Sequence, residues 1–210
     1  MPNDALQQYV NRVGRWLASQ TERPNLPWTF GVLDTPDVNA FAVPGGYVFV
    51  TRGLVVRMRS ESELAGVLSH EIVHVLKKHH LHAIQKSAQL ELANSAVSTF
   101  ARQDQNTALR ENLLSAGSEL FARGLDKSDE LEADRLGVVI AARGGYDAYG
   151  LPAVLQTLQA MNPEDSSLAL MFKTHPAPAE RLDALEKMQP LLDAYAAQPQ
   201  LAARFAAVGR

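Results

Sequence analysis

His70-Glu71-Ile72-Val73-His74 is a His-Glu-x-x-His stretch inside a segment that otherwise reads as helix. On a helix, residues four apart lie about 40° apart around the axis and one turn along it. Two imidazoles so placed reach one metal ion, and the glutamate between them flanks the same spot, ready to take a proton from water. With 6 His and 12 Glu in 210 residues, random placement yields this pattern in roughly one of a hundred shuffles. The competing reading is a pair of buried structural histidines.

The segments around this stretch supply a small sheet and a set of helices. Upstream, Ser60-Glu61-Ser62-Glu63 fits a capping box, with Ser60 as N-cap and Glu63 at N3, and predicts a helix running to about His79 or His80. Before it, Trp28 to Leu33, Val38 to Val43 and Tyr47 to Thr51 are β-prone, and Pro44-Gly45-Gly46 signals a hairpin between the last two. Leu6, Val10, Val13 and Leu17 repeat at helical spacing over residues 4–20. Downstream, 81–125 reads as one or two helices with a break near Gln103 to Thr107. Another helix should start at a Ser128 cap and stop at Gly144-Gly145. Further helices are expected over Gly150 to Met161 and, after Pro176-Ala177-Pro178, through Arg181, Leu182, Leu185 and Met188. The Ala-rich tail after Pro199 is weakly amphipathic and reads as loosely held. The fold class is therefore α+β: a small N-terminal antiparallel or mixed sheet with a mainly helical remainder.

Composition narrows the function. A net charge of -3 offers no basic surface for nucleic acid. No apolar run approaches the ~18 to 20 residues that cross a bilayer. With no cysteine, disulfides and thiolate ligands are excluded, so a metal would sit on His and carboxylates. The chain begins Met1-Pro2-Asn3 with no charged-then-apolar leader, so membrane association would need an anchor outside this sequence.

A catalytic zinc usually takes three protein ligands and leaves a fourth position open. The best third ligand is Glu130 in Ser128-Asp-Glu-Leu-Glu-Ala-Asp-Arg-Leu-Gly137. Glu130 and Asp134 share a helix face with Ala133 and Gly137, whose small side chains let a second helix pack closely. Asp134 is placed to accept a proton from the far nitrogen of a ligand imidazole. Glu132 points away, as a solvent residue. The alternative is a solvated acidic helix start favoured by the helix dipole.

These stretches resemble a known family. His-Glu-Ile-Val-His followed by Glu130-Leu-Glu-Ala-Asp134 is similar to the gluzincin metallopeptidases. Asn39-Ala-Phe-Ala-Val-Pro-Gly-Gly46, Leu131-Glu-Ala-Asp-Arg-Leu-Gly137 and Thr174-His-Pro176 narrow the likeness to the HtpX and CAAX prenyl protease family, nearest its soluble bacterial envelope members. The likeness covers roughly residues 28–185, but the membrane-spanning helices of HtpX and the prenyl proteases are missing from it.

The resemblance implies a zincin-like fold, one zinc per chain on His70, His74 and Glu130, Glu71 as general base, and polypeptide substrates. It implies that Asn39, Ala40 and Phe41 form an edge strand to which substrate adds by backbone hydrogen bonds; an ordinary hairpin is the alternative. It also brings His175 near the zinc, as a fourth ligand or as a hydrogen-bond donor to the transition state. A simply hydrogen-bonded imidazole is the other reading. Arg181 would pair with a site carboxylate or form a surface ion pair. His79 reads as packed or capping, and His80 and His82 as a solvated helix end. Tyr47, Tyr146 and Tyr149 default to core or surface roles.

One metallopeptidase domain over 1–210 is expected: an N-terminal helix and linker at 1–27, a catalytic core at 28–185 and a helical tail at 186–210. The leading function is a periplasmic or envelope-associated zinc endopeptidase acting on extended or misfolded polypeptide in protein quality control. The alternatives are a latent or inactive metallopeptidase fold that binds polypeptide like a chaperone, and a metal-storing or structural zinc protein.

Overall fold

The computed structural model describes residues 4–86, 125–162, 164–175 and 177–208. Helix α1 (Asp4–Ala18) leads into strand β1 (Thr29–Leu33), then the hairpin β2 (Ala40–Val43) and β3 (Tyr47–Thr51). A short helix α2 (Arg52–Val55) precedes the long α3 (Glu61–Lys77), which carries the His-Glu-x-x-His stretch. Then come α4 (Lys127–Arg143), α5 (Gly150–Gln159), α6 (Ala169–Thr174), α7 (Pro178–Glu186), α8 (Gln189–Ala194) and α9 (Ala202–Ala206). The expected helices over 81–125 fall mostly outside the described residues, though 79–86 are helical.

The sheet has three strands in the order β1-β3-β2, with β3 parallel to β1 and antiparallel to β2. Its two edges are treated differently. Along β1, the Gln7 side chain of α1 bonds Phe30 O at 2.7 Å and Val32 N at 2.9 Å, and Asn11 Oδ1 accepts from Phe30 N at 3.2 Å. These amides stand in for a neighbouring strand and close that edge, a standard protection against stray pairing. The β2 edge runs along α3. Thr51 N donates to Asn39 O, so antiparallel alternation turns the backbone groups of Ala40 and Ala42 away from β3. The turn between the strands uses Gly45 and Gly46 at φ of 104° and 98°, where a side chain would be strained.

Helix α3 is the axis of the molecule. Every residue from Glu61 to Val75 is buried, so it packs on all sides rather than along one stripe. Ser60 Oγ caps it by accepting from Glu63 N at 3.2 Å, as the capping box requires. The Glu63 carboxylate turns instead to Arg59 N at 2.9 Å. At the other end α3 stops at Lys77, earlier than the sequence pattern predicts. Lys78 adopts the left-handed conformation (φ 59°, ψ 31°) and its N–H bonds back to His74 O and Val75 O.

Helix α4 starts one residue before the expected Ser128 cap, behind Asp126, and the left-handed stop falls on Gly145 (φ 85°), not Gly144. Its small face packs on α3 as the sequence implies: a Cβ on Gly137 would lie 3.0 Å from His70 N and 3.1 Å from His70 Cα. Gly137→Val should therefore force the two helices apart, destabilising the metal-free protein by about 1–3 kcal/mol. Zinc affinity should fall with it, because His70 and Glu130 sit on opposite sides of that contact. Urea midpoints and zinc titration check both; a variant matching the parent in each would refute the close-packing argument.

The tail differs from the expected loose end. Ser62 N donates to Gln200 O at 3.2 Å and Ser62 Oγ to Pro199 O at 2.9 Å, so the tail satisfies a donor in the first turn of α3. Phe205 is buried against Tyr9. Arg204 pairs with the buried carboxylate of Glu61, which also accepts from the Tyr9 and Tyr146 hydroxyls. Burial opposes ionisation of Glu61, but Arg204 and the two phenols prevail and hold its pKa below the ordinary value. Weak amphipathicity misses this because the tail is anchored by one aromatic and one ion pair rather than by a stripe.

Candidate metal centre

Four elements converge beside β2. Helix α3 supplies His70, Glu71 and His74; α4 supplies Glu130 and Asp134; the turn after α6 supplies His175; α7 supplies Arg181. One ligand atom from each of His70, His74, Glu130 and His175 can be chosen so that all four lie within 4.8 Å of one another. His70 Nε2 and His74 Nε2 are 3.0 Å apart, and they stand 3.5 Å and 3.4 Å from the two oxygens of Glu130. Ligand atoms held 2.0–2.1 Å from one tetrahedral zinc are about 3.3 Å apart, so the cluster has the right dimensions.

The electrostatics also fit a cation. Glu130 is fully buried, and its Oε1 has no hydrogen-bond partner among the described residues. Burial disfavours its charge, yet His175 and His70 hold its pKa well below the usual carboxyl range. Burial works against protonation of His70 too, and so does Arg181, but Asp134 and Glu130 raise its pKa to about 9. The site thus recruits protons to balance buried negative charge, a task a divalent cation would take over. His74 goes the other way: burial and the neighbouring His70 push its pKa well down, favouring the neutral imidazole.

Glu71 is buried beside the cluster, and its Oε2 has no partner among the described residues. Burial raises its pKa above the ordinary glutamate value, the direction a general base near neutral pH requires. Around it, Leu54, Val67, Leu151, Leu155 and Met171 form a small apolar cavity that His175 and Ala40 border.

Asp134 lies where the sequence places it, its Oδ1 accepting from His70 Nδ1 at 2.8 Å. Arg181 settles the open choice between surface and site: its Nε and Nη2 grip Asp134 at 2.8 Å and 2.6 Å. His175 Nδ1 bonds Glu130 Oε2 at 2.8 Å, and its Nε2 lies 3.3 Å from Ala40 O on the sheet edge. Of the three residues expected to form that edge, Asn39 precedes β2 and bonds Thr51, Ala40 is buried with its backbone groups turned away from β3, and Phe41 packs on Phe49.

Two residues do more than the sequence pattern implies. His79 is buried, with Nδ1 2.9 Å from His74 Nδ1. Glu132, read as a solvent residue, lies 3.3 Å from His79 Nε2. On a continuous helix His79 would lie about 140° from His74; the Lys78 reversal brings it back, and no glycine marks that turn. His80, expected in solvent, packs its ring 5.4 Å from that of His74, and burial lowers its pKa to about 4. Tyr146 and Tyr149 bond Glu61 and Asp193, away from the cluster.

A buried His-Glu-x-x-His helix, a glutamate from a neighbouring helix and a small mixed sheet define the zincin-like metalloendopeptidases. The chain belongs to peptidase family M48, whose profile matches residues 4–189. It is 32% identical over 218 residues to the putative beta-barrel assembly-enhancing protease of Vibrio cholerae, a match covering 97% of this chain and 45% of that protein. It is 32% identical over 184 residues to the beta-barrel assembly-enhancing protease of Escherichia coli K12, covering 84% of this chain and 37% of that protein. The mitochondrial metalloendopeptidase OMA1 of Arabidopsis thaliana is 28% identical over 165 residues, covering 78% and 32% respectively. The chain thus spans less than half the length of these relatives. None of its described helices is long and apolar enough to cross a membrane.

Proposed function

We propose that this chain is the catalytic part of a zinc-dependent endopeptidase that cleaves extended or misfolded polypeptide. The observation that carries the reading is the buried Glu71 carboxylate, its Oε2 without a partner among the described residues, beside the His70, His74 and Glu130 cluster. We place one zinc per chain on those three residues, with Asp134 orienting His70 and Arg181 orienting Asp134. When bound, zinc would supply a Lewis acid and lower the pKa of water held there. Glu71 takes the proton of the attacking water and returns it to the leaving amine. Substrate adds to the β2 edge in extended form, bonding the backbone groups of Ala40 and Ala42 that turn away from β3. The cavity next to Glu71 would take an apolar side chain. A place in envelope or periplasmic protein quality control rests on the relatives named for enhancing β-barrel assembly.

A latent state is the second reading, favoured by one contact set. His175 belongs to the four-residue cluster and also sits on Ala40 O, so it covers a coordination position and a substrate acceptor together. Removing it gives up two hydrogen bonds of roughly 1 kcal/mol each, so His175→Ala should raise cleavage of an unfolded protein about tenfold or more. A fall in activity would make His175 a participant in the chemistry instead. The test of the whole proposal is metal analysis beside cleavage. Metal-replete protein should carry one zinc, and chelation should abolish hydrolysis. Protein that carries no zinc, or hydrolysis that survives its removal, would sink the site as drawn.

A further inference from the structure

We propose that His79 is a positioning residue for the ligand His74: it accepts the His74 Nδ1 proton and passes the polarisation to the carboxylates of Glu132 and Asp129. The inference rests on the metal site proposed above, and it gives His74 a counterpart to the Asp134 support of His70.

The proton count settles the direction of each bond. A His74 that offers Nε2 to a metal must carry its proton on Nδ1. That proton faces His79 Nδ1 at 2.9 Å, so His79 accepts there and holds its own proton on Nε2. The Nε2 proton then points to Glu132 Oε2 at 3.3 Å, with Asp129 Oδ1 at 4.0 Å. The opposite order would put a proton on His74 Nε2 and block the metal. The two rings meet edge-on at 72°, with centroids 5.1 Å apart.

Two features show that the arrangement is built. His79 reaches His74 only because Lys78 takes the left-handed conformation that ends α3. A lysine there forgoes the ease of glycine, and the strain is offset by the contacts that follow. Moreover, the acidic partners come from α4, the helix that also carries Glu130. Both ligand histidines are thus tied to one helix through their far nitrogens: His70 directly by Asp134, His74 through His79 by Glu132 and Asp129.

The test compares His79→Leu, which removes the acceptor, with His79→Gln, whose amide oxygen can replace it. Zinc affinity is measured by competition with a chromophoric chelator, and the visible spectrum of the cobalt-substituted protein reports ligand geometry. His79→Leu should weaken zinc binding 10- to 100-fold and change the cobalt spectrum. His79→Gln should restore most of both. The double variant Asp129→Asn, Glu132→Gln leaves the packed ring in place, and it should weaken zinc binding severalfold even if His79→Leu does not fold. His74→Ala is the control for the underlying site. If it loses zinc while the His79 and carboxylate variants bind like the parent, the positioning role is wrong and the site stands. If His74→Ala also keeps parental affinity, the site itself is wrong.

Discussion

Glu71→Gln should lower kcat/KM for an unfolded protein substrate by a factor on the order of 10³ while one zinc stays bound. The amide has the shape of the carboxylate but cannot take a proton, so the change strikes the transfer step and little else. Glu71 makes no ion pair among the described residues, and its Oε2 is buried without a partner. The fold therefore loses no bond with the charge, and burial already disfavours that charge, as the raised pKa shows. Stability should stay level or rise slightly. The asymmetry separates Glu71 from its neighbours: changing His70, His74 or Glu130 should remove metal and activity together. Kinetics paired with metal analysis makes the comparison. A glutamine variant that retains a tenth of the parental activity would rule Glu71 out as the base.

Arg181→Met should destabilise the metal-free protein by about 3–5 kcal/mol, the usual consequence of stranding a buried charge. The guanidinium is buried and holds both oxygens of Asp134, with Glu130 Oε2 3.9 Å away. Methionine keeps much of the volume and none of the charge, leaving two buried carboxylates with only histidine protons to balance them. Burial would raise the pKa of Asp134, but Arg181, then His70, bring it down to about 2. That depressed value fixes the pH dependence. The contribution is fully present above the unfolded carboxyl value near 3.9 and disappears as pH falls through about 2. Urea unfolding at neutral pH measures the loss. Saturating zinc should recover part of it, because a ligand that binds only the folded state adds stability by mass action. The double variant Arg181→Met, Asp134→Leu, with both charges gone, should be far closer to the parent in metal-free stability. It should nevertheless bind zinc more weakly, since His70 loses its orienting acceptor. If Arg181→Met unfolds at the parental midpoint, the network contributes nothing net.

Much of the site was legible because it is written in local periods. Four-residue spacing put His70 beside His74 and Glu130 beside Asp134. The small residues Ala133 and Gly137 marked the face that packs on α3, and Ser60 with Glu63 marked where that helix begins. The antiparallel or mixed sheet was legible from its β-prone runs and the Gly45-Gly46 turn, though the strand order β1-β3-β2 was not. Nothing in the pattern placed Gln7 and Asn11 along β1, since both lie among the polar positions of an amphipathic helix.

His79 shows where periodicity misleads. Extending the helix one turn turns its side chain away from the metal face, whereas a single left-handed residue reverses the chain and brings the imidazole home. Lys78 carries no mark of that turn, because its conformation is imposed by the contacts beyond it. Arg181 and Arg204 show the same limit at longer range. Each is an ordinary helix arginine in sequence, and each meets its carboxylate across more than 40 residues of chain: Arg181 with Asp134, Arg204 with Glu61.

The sequence by itself placed His70, Glu71 and His74 on one helix and Glu130 with Asp134 on another, because that placement depends on side-chain identity and a 3.6-residue period. Only the tertiary structure decided that Gln7 and Asn11 cover the β1 edge, which arginine meets Asp134, that His79 lies against His74, and that His175 reaches Ala40. Those depend on burial, which makes an unpaired charge or proton too costly to leave and so selects partners that no local spacing records.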